Sequence, residues 1–176
     1  MSGLGLLTSW LPMVFAMFLV EITSTKFKKF VQIFSTIPNF ISWVIVYSIA
    51  LAIFSTDGFI NGVFGGNKNF LMDGSQTWLK MWAWGTWKGL GWSAIIYIAS
   101  ISSIDPSMYE SASIDGATRF QKMRHITLPS LMPTFFVMLI MAVANILSNG
   151  MDQYLVFQNP INTGKIEVLE LYVYQL

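Results

Sequence analysis

What most limits the folds open to this chain is the spacing of its charges. Four long windows carry none: Met1 to Val20, Phe30 to Ser55, Gly89 to Ile104 and Ile126 to Met151. A helix needs about 20 consecutive apolar residues to cross a hydrocarbon core of roughly 30 Å. One such run is ambiguous, because a buried helix of a soluble protein or a secretory signal reads the same way. The first window has no basic residue before it and no small-residue cleavage site ahead of Lys26, Lys28 and Lys29, which argues against a signal. Four windows in succession predict an all-α membrane protein with spans near 3–21, 36–55, 84–104 and 130–150. The third reaches spanning length only by running upstream past Lys88, a cation placed near the span's end, from where it can snorkel to the interface. Trp78, Trp82, Trp84 and Trp87 gather at that end and Tyr109 lies beyond the other, as aromatic side chains do at headgroup depth.

Composition removes several classes of function. Only 11% of the 176 residues are charged, against about 25% in soluble domains. Ten Lys and Arg against nine Asp and Glu leave no basic excess for phosphates, so nucleic acid is not an expected partner. The absence of Cys excludes thiolate catalysis and zinc-thiolate sites from this sequence. No Asp, Glu or His lies inside the four windows, so an intramembrane hydrolase or metal site lacks its groups there. His125 stands alone in a basic loop, and no metal or catalytic residue is expected.

The connections orient the spans, because short loops rich in Lys and Arg stay cytoplasmic. Lys26, Lys28 and Lys29 mark one such loop, and Arg119, Lys122 and Arg124 with His125 mark the other. The Gly- and Asn-rich stretch from Thr56 to Lys80 reads as an outward loop, and the tail after Met151 faces the same way. Pro38-Asn39 marks a kink or a late helix start in the second span, since proline cannot donate to the preceding turn.

The loop 105–129 is the most informative segment. Asp105 N-caps a short helix with Pro106 in its first turn, and Gly116 ends it in a left-handed turn. Asp115 is then expected to cap a second short helix, about Ala117 to His125. Thr127 or Leu128 would cap the fourth span, with Pro129 in its first turn. An ordered loop of this length docks on something. One reading is an interfacial helix on lipid, but Asp105, Glu110 and Asp115 would be repelled by anionic headgroups, which favours a protein partner.

The run Glu110-Ser111-Ala112, Asp115-Gly116-Ala117, Gln121 and Ile126-Thr127-Leu128-Pro129 closely resembles the EAA loop of the permease subunits of binding-protein-dependent ABC importers of the type I fold. Ser111 stands where the family usually has Ala. Phe27 to Gln32, Pro38 to Trp43, Gly91-Trp92, Ile96-Tyr97, Asp152-Gln153, Asn159-Pro160 and Tyr172 to Tyr174 resemble the subgroup importing oligosaccharides or polysaccharide fragments. Such permeases usually have six spans, so the resemblance implies a fragment without the first and last.

That resemblance implies a multi-pass subunit of the bacterial cytoplasmic membrane, surrounded by lipid, and not itself an enzyme. Its implied partners are a cytoplasmic ATPase dimer, a second homologous permease subunit and an extracytoplasmic solute-binding protein. ATP and Mg would sit on the ATPase, and this sequence has no Gly-x-x-x-x-Gly-Lys-Ser/Thr cradle of its own. The EAA loop would be a coupling helix seated in an ATPase groove. Glu110 would pair with a basic residue there, Met108, Tyr109 and Ala112 would fill the groove, and Asp115, Gly116 and Ala117 would form the turn. Sugars are held by aromatic faces and side-chain amides, which makes Trp92, Asn145, Asn149 and Gln153 the pathway candidates; Trp84 and Trp87 read better as belt residues. For the amides, interhelical hydrogen bonding is an equal alternative. The alternative class is an ion-coupled secondary transporter or another multi-span membrane protein.

Overall fold

The computed structural model describes residues 2–64, 77–145 and 151–158. Among these residues every regular element is helical. In order they are α1 (Ser2–Leu7), α2 (Leu11–Glu21), α3 (Thr25–Thr36), a 3-10 turn (Ile37–Phe40), α4 (Trp43–Phe54), α5 (Phe59–Phe64) and α6 (Thr77–Ser102). They continue with α7 (Pro106–Ile114), α8 (Arg119–Lys122), a π turn (Met123–Thr127), α9 (Leu128–Ala144) and α10 (Met151–Phe157).

The described residues contain two helical stretches long and apolar enough to cross a membrane, Trp43–Val63 and Arg119–Ala144, and a shorter apolar one, Gly5–Glu21. Helix α6 has the length, but Lys80, Lys88 and five tryptophans temper its hydropathy. Three of the expected boundaries move, two of them for reasons that proline and serine supply. Within the first window the helix restarts at Leu11, because Pro12 has no N–H with which to continue the turn from Thr8. Helix α4 begins at Trp43, with Ser42 accepting from the Ile45 N–H, so residues 36–42 of the expected second span are the end of α3, the 3-10 turn and this cap. Helix α6 starts at Thr77, which sets Lys88 well inside it rather than near an end. Its Nζ donates to the Asn39 carbonyl at 2.9 Å. Asn39 follows the end of α3, where carbonyls lack intrahelical donors and a cation is favoured.

The chain divides into two compact units, one formed by Phe40–Thr86 with the chain from Asn145 onward, the other by Gly3–Asn39 and Trp87–Ala144. In the first unit Val46 and Ala50 of α4 pack with Met81 of α6 and with Tyr154 and Phe157 of α10. Phe157 meets Tyr47, Trp84 and Trp43 with ring centroids 5.0, 6.2 and 6.3 Å apart. In the second unit Met13, Ala16 and Met17 of α2 meet Ala94, Tyr97 and Ile101 of α6 and Leu131 of α9. Lipid tails are as apolar as these side chains, so close packing and hydrogen bonds hold such helices together rather than burial from water. Ala16 and Ala94 are fully buried, and a hydrogen bond of 2.8 Å joins Ser100 of α6 to Thr134 of α9. Gly91 of α6 lies against the backbone of Ser35, where any Cβ would collide with the carbonyl.

Candidate functional site

The candidate site is α7 with the turn that follows it, and local chemistry builds both. Pro106 supplies the helical φ at the first position, and the Asp105 carboxylate accepts from the Ser107 N–H at 2.9 Å. Hydrogen bonds from Ser107, its backbone N–H foremost, hold the Asp105 carboxyl below the ordinary carboxylate range. At the other end Gly116 has φ +76°, the left-handed region that glycine enters without a Cβ penalty. The Ala117 N–H reaches the Ala112 carbonyl at 2.9 Å and the Gly116 N–H reaches Ser113 at 3.2 Å, the two bonds of a Schellman cap.

Beyond Gly116 two sequence expectations are corrected. Asp115 does not cap the next helix: it ends α7, its N–H reaching the Ser111 carbonyl. The cap is Thr118, whose hydroxyl accepts from the Gln121 N–H while the Gln121 side chain accepts from the Thr118 N–H. This reciprocal pair is a capping box, and Thr-x-x-Gln was its sequence signature. Nor is there a break and cap at Thr127 or Leu128. Helix α8 runs through the π turn into α9, with the Leu128 N–H bonded to the Met123 carbonyl. Pro129 cannot donate to the ladder, and a widened turn just ahead of it accommodates the missing bond.

The side chains of α7 divide between an exposed and an inward side, with exposed Glu110 at the rim of the inner cavity. Met108 is 45% exposed and Ile114 is 87% exposed, and Glu110 and Asp115 are exposed beside them. Ala112 and Ala117 are half-buried and border a cleft of about 340 Å³ with Asp115, Gly116, Gln121 and Lys122. Tyr109 points the other way, its Oη 2.8 Å from Oγ1 of the buried Thr127. Both line a second cavity, of about 480 Å³, with Met17, Val20, Ile101 and Met123. Lys122 donates to the Ser113 hydroxyl, a second tie between α7 and the helix beyond. Sequence reading named Thr127 only as a cap and motif residue, and it missed Thr118, the 65% exposed Phe120 and Glu21, which lines the 480 Å³ cavity beside Glu110. The Thr118 signal was present; Thr127 and Glu21 meet α7 only through the fold.

The described pathway candidates fall in both units. Gln153 is buried in the first unit, its Nε2 donating to the Met81 carbonyl at 2.8 Å. Trp92, in the second unit, is 49% exposed, and Asn145 is exposed just after α9. Asn149 lies outside the described residues, as do Asn159-Pro160 and Tyr172 to Tyr174. Trp84 packs edge-on to Phe54 within the aromatic cluster of the first unit.

A helix with capped ends, an acidic and apolar outer face and an inward tyrosine is the arrangement expected of a docking element. Residues 5–176 match the family described as "Binding-protein-dependent transport system inner membrane component". The chain belongs to that family. The permease is 39% identical over 170 residues to the polygalacturonan/rhamnogalacturonan transport system permease protein YteP of Bacillus subtilis (strain 168), a match covering 93% of this chain and 52% of that protein. It is 34% identical over 170 residues to Protein LplB of the same organism, covering 94% of this chain and 54% of that one. A crystal structure of a bacterial ABC transporter involved in the import of the acidic polysaccharide alginate superposes with a TM-score of 0.92 at 33% identity, over 99% of this chain and 63% of that one. The same likeness holds to the alginate transporter in complex with its alginate pentasaccharide-bound periplasmic protein. The all-helical permease fold is thereby shown, and the family is one of transport components rather than enzymes. The chain spans about half the length of the curated relatives it matches.

Proposed function

We propose that this permease moves oligosaccharides or related sugars across the bacterial cytoplasmic membrane as part of an ATP-driven importer, and that α7 couples it to a cytoplasmic ATPase dimer. The observation that carries the coupling role is the outer face of α7. Met108, Glu110 and Ile114 are exposed on a helix that is capped at both ends, so little is lost in ordering it when a partner covers it. Glu110 pairs with a basic side chain of the ATPase, Met108, Ala112 and Ile114 enter its groove, and Gly116 turns the chain back to α8. Closure of the ATPase on ATP and Mg, both held by that partner, moves α7 as a rigid body and rocks this permease against a second homologous subunit. An extracytoplasmic binding protein delivers the sugar, and lipid surrounds the spans.

The carbohydrate class is supported by relatives whose names refer to polygalacturonan, rhamnogalacturonan and alginate. Of the pathway candidates, Trp92 and Asn145 are exposed and Gln153 is buried, so exposure favours the first two for a lining role. The test is Glu110→Lys in the full-length permease assembled with its partners. Uptake is expected to fall to background while membrane insertion and yield stay normal. Normal uptake by that variant overturns the docking assignment.

A further inference from the structure

Helix α7 is joined to α6 through Asp105 and to α8 through Gly116, and Pro106, Tyr109 and Glu110 on it line the 480 Å³ cavity. Movement of α7 cannot pass efficiently through a void, because a gap forfeits the contacts that would carry it. At its wall one contact has defined geometry, the 2.8 Å hydrogen bond between Tyr109 and Thr127. Tyr109 is half-buried between exposed Met108 and exposed Glu110, and Thr127 is 6% exposed. Thr127 is also the last residue of the π turn, and Pro129, two residues on, removes a backbone donor. A force applied at Thr127 therefore acts where the helix has its wide turn and its missing bond, the places where helices bend.

We propose that Tyr109 is a positioning residue for coupling: its hydroxyl, held by Thr127, transmits the displacement of α7 to the π turn and so to α9. This rests on the coupling role proposed for α7 and adds a path for the motion. The exposed Ser113–Lys122 tie is secondary, because a lysine's flexible stem follows a small displacement without passing it on.

The experiment uses the full-length permease assembled with its ATPase, partner subunit and binding protein in proteoliposomes, and reads three quantities: co-purification of the ATPase, ATP hydrolysis stimulated by loaded binding protein, and uptake. Tyr109→Phe removes one oxygen, Thr127→Val removes the partner hydroxyl at similar volume, and Thr127→Ser keeps it. Uptake per ATP hydrolysed is expected to fall about five- to tenfold in Tyr109→Phe and in Thr127→Val, to fall no further in the double variant, and to stay normal in Thr127→Ser. Co-purification is expected to be unchanged throughout, which separates this link from docking. An unchanged uptake-to-hydrolysis ratio in both single variants overturns the proposal, as do losses that multiply in the double variant. Loss of assembly in both single variants also overturns it, because the bond then serves folding alone. Failure of the docking reading shows instead as normal uptake in Glu110→Lys, whatever the Tyr109 variants do.

Discussion

Helices α3 and α7 both belong to the second unit, both follow an apolar helix and both have a side-chain N-cap, yet their ties to the rest of the unit differ. Helix α3 has a stripe of exposed Phe27, Phe30, Ile33 and Phe34, lysines 26, 28 and 29 around its first turn, and no buried residue. Its fixed point is backbone against backbone, Ser35 on Gly91. Helix α7 has Asp105 and Asp115 as its caps and Glu110 between them; a backbone Schellman turn at Gly116 ends it, and side chains hold it through the Asp105 cap and the Tyr109–Thr127 bond. A backbone contact fixes a helix but leaves its side chains free to face lipid. A set of side-chain ties fixes one face and keeps the other rigid for a partner, which is what docking requires.

Substitutions can break this contrast at either helix. The largest effect is expected at Gly91. A valine there places a Cβ within 2.7 Å of the Thr36 nitrogen and closer still to the Ser35 carbonyl, neither of which can yield as a flexible side chain would. Gly91→Val is expected to destabilise by about 3 kcal/mol or more, read as loss of folded yield and a lowered melting temperature in detergent. Next is Gly116→Val. A Cβ at Gly116 meets nothing within 4 Å, so the cost comes from φ alone, about 1–2 kcal/mol, and Gly116→Asn should be much milder. Faster hydrogen exchange of the Gly116 and Ala117 amides and weaker ATPase association would register it.

Thr118→Ala removes the capping box and is expected to cost about 1 kcal/mol, visible as local fraying of α8 with the rest of the fold intact. A smaller effect is set by pH. The Asp105 carboxyl is lowered in the folded state, so its cap is fully present above the unfolded carboxylate value of 3.8 and is lost only as pH falls through the lowered value. Exchange protection at the start of α7 should be flat from neutral pH to about 5 and decline only in stronger acid. A decline near neutrality would point to a different group. The smallest change is expected at α3, where Lys26→Ala should alter stability by no more than about 0.5 kcal/mol. A large loss there would mean that α3, too, depends on side-chain ties.

Much of α7 was legible because its determinants are local. Asp105, Pro106 and Gly116 each act within two or three residues, so the cap, the first turn and the left-handed stop can be read in order along the chain. The same local logic misplaced the next cap at Asp115, since an acid after a turn reads as well as the Thr118-x-x-Gln121 box until the Schellman bonds have used Asp115 as the end of α7. The late start of α4 was signalled by Pro38, but its position depended on Ser42. Lys88 was read near a span's end because the upstream tryptophans lower hydropathy without stopping a helix.

The sequence by itself determined that this chain is a helical membrane component and that the segment from Asp105 to Pro129 opens with a capped helix bearing acids and continues into a basic stretch, because charge spacing and capping are properties of neighbouring residues. Only the tertiary structure decided that Tyr109 turns inward to Thr127, 18 residues away, that Gly91 receives the backbone of Ser35, and that Gln153 gives its amide to Met81. These contacts are set by which helix faces meet, and no periodicity within one helix encodes its neighbour's register.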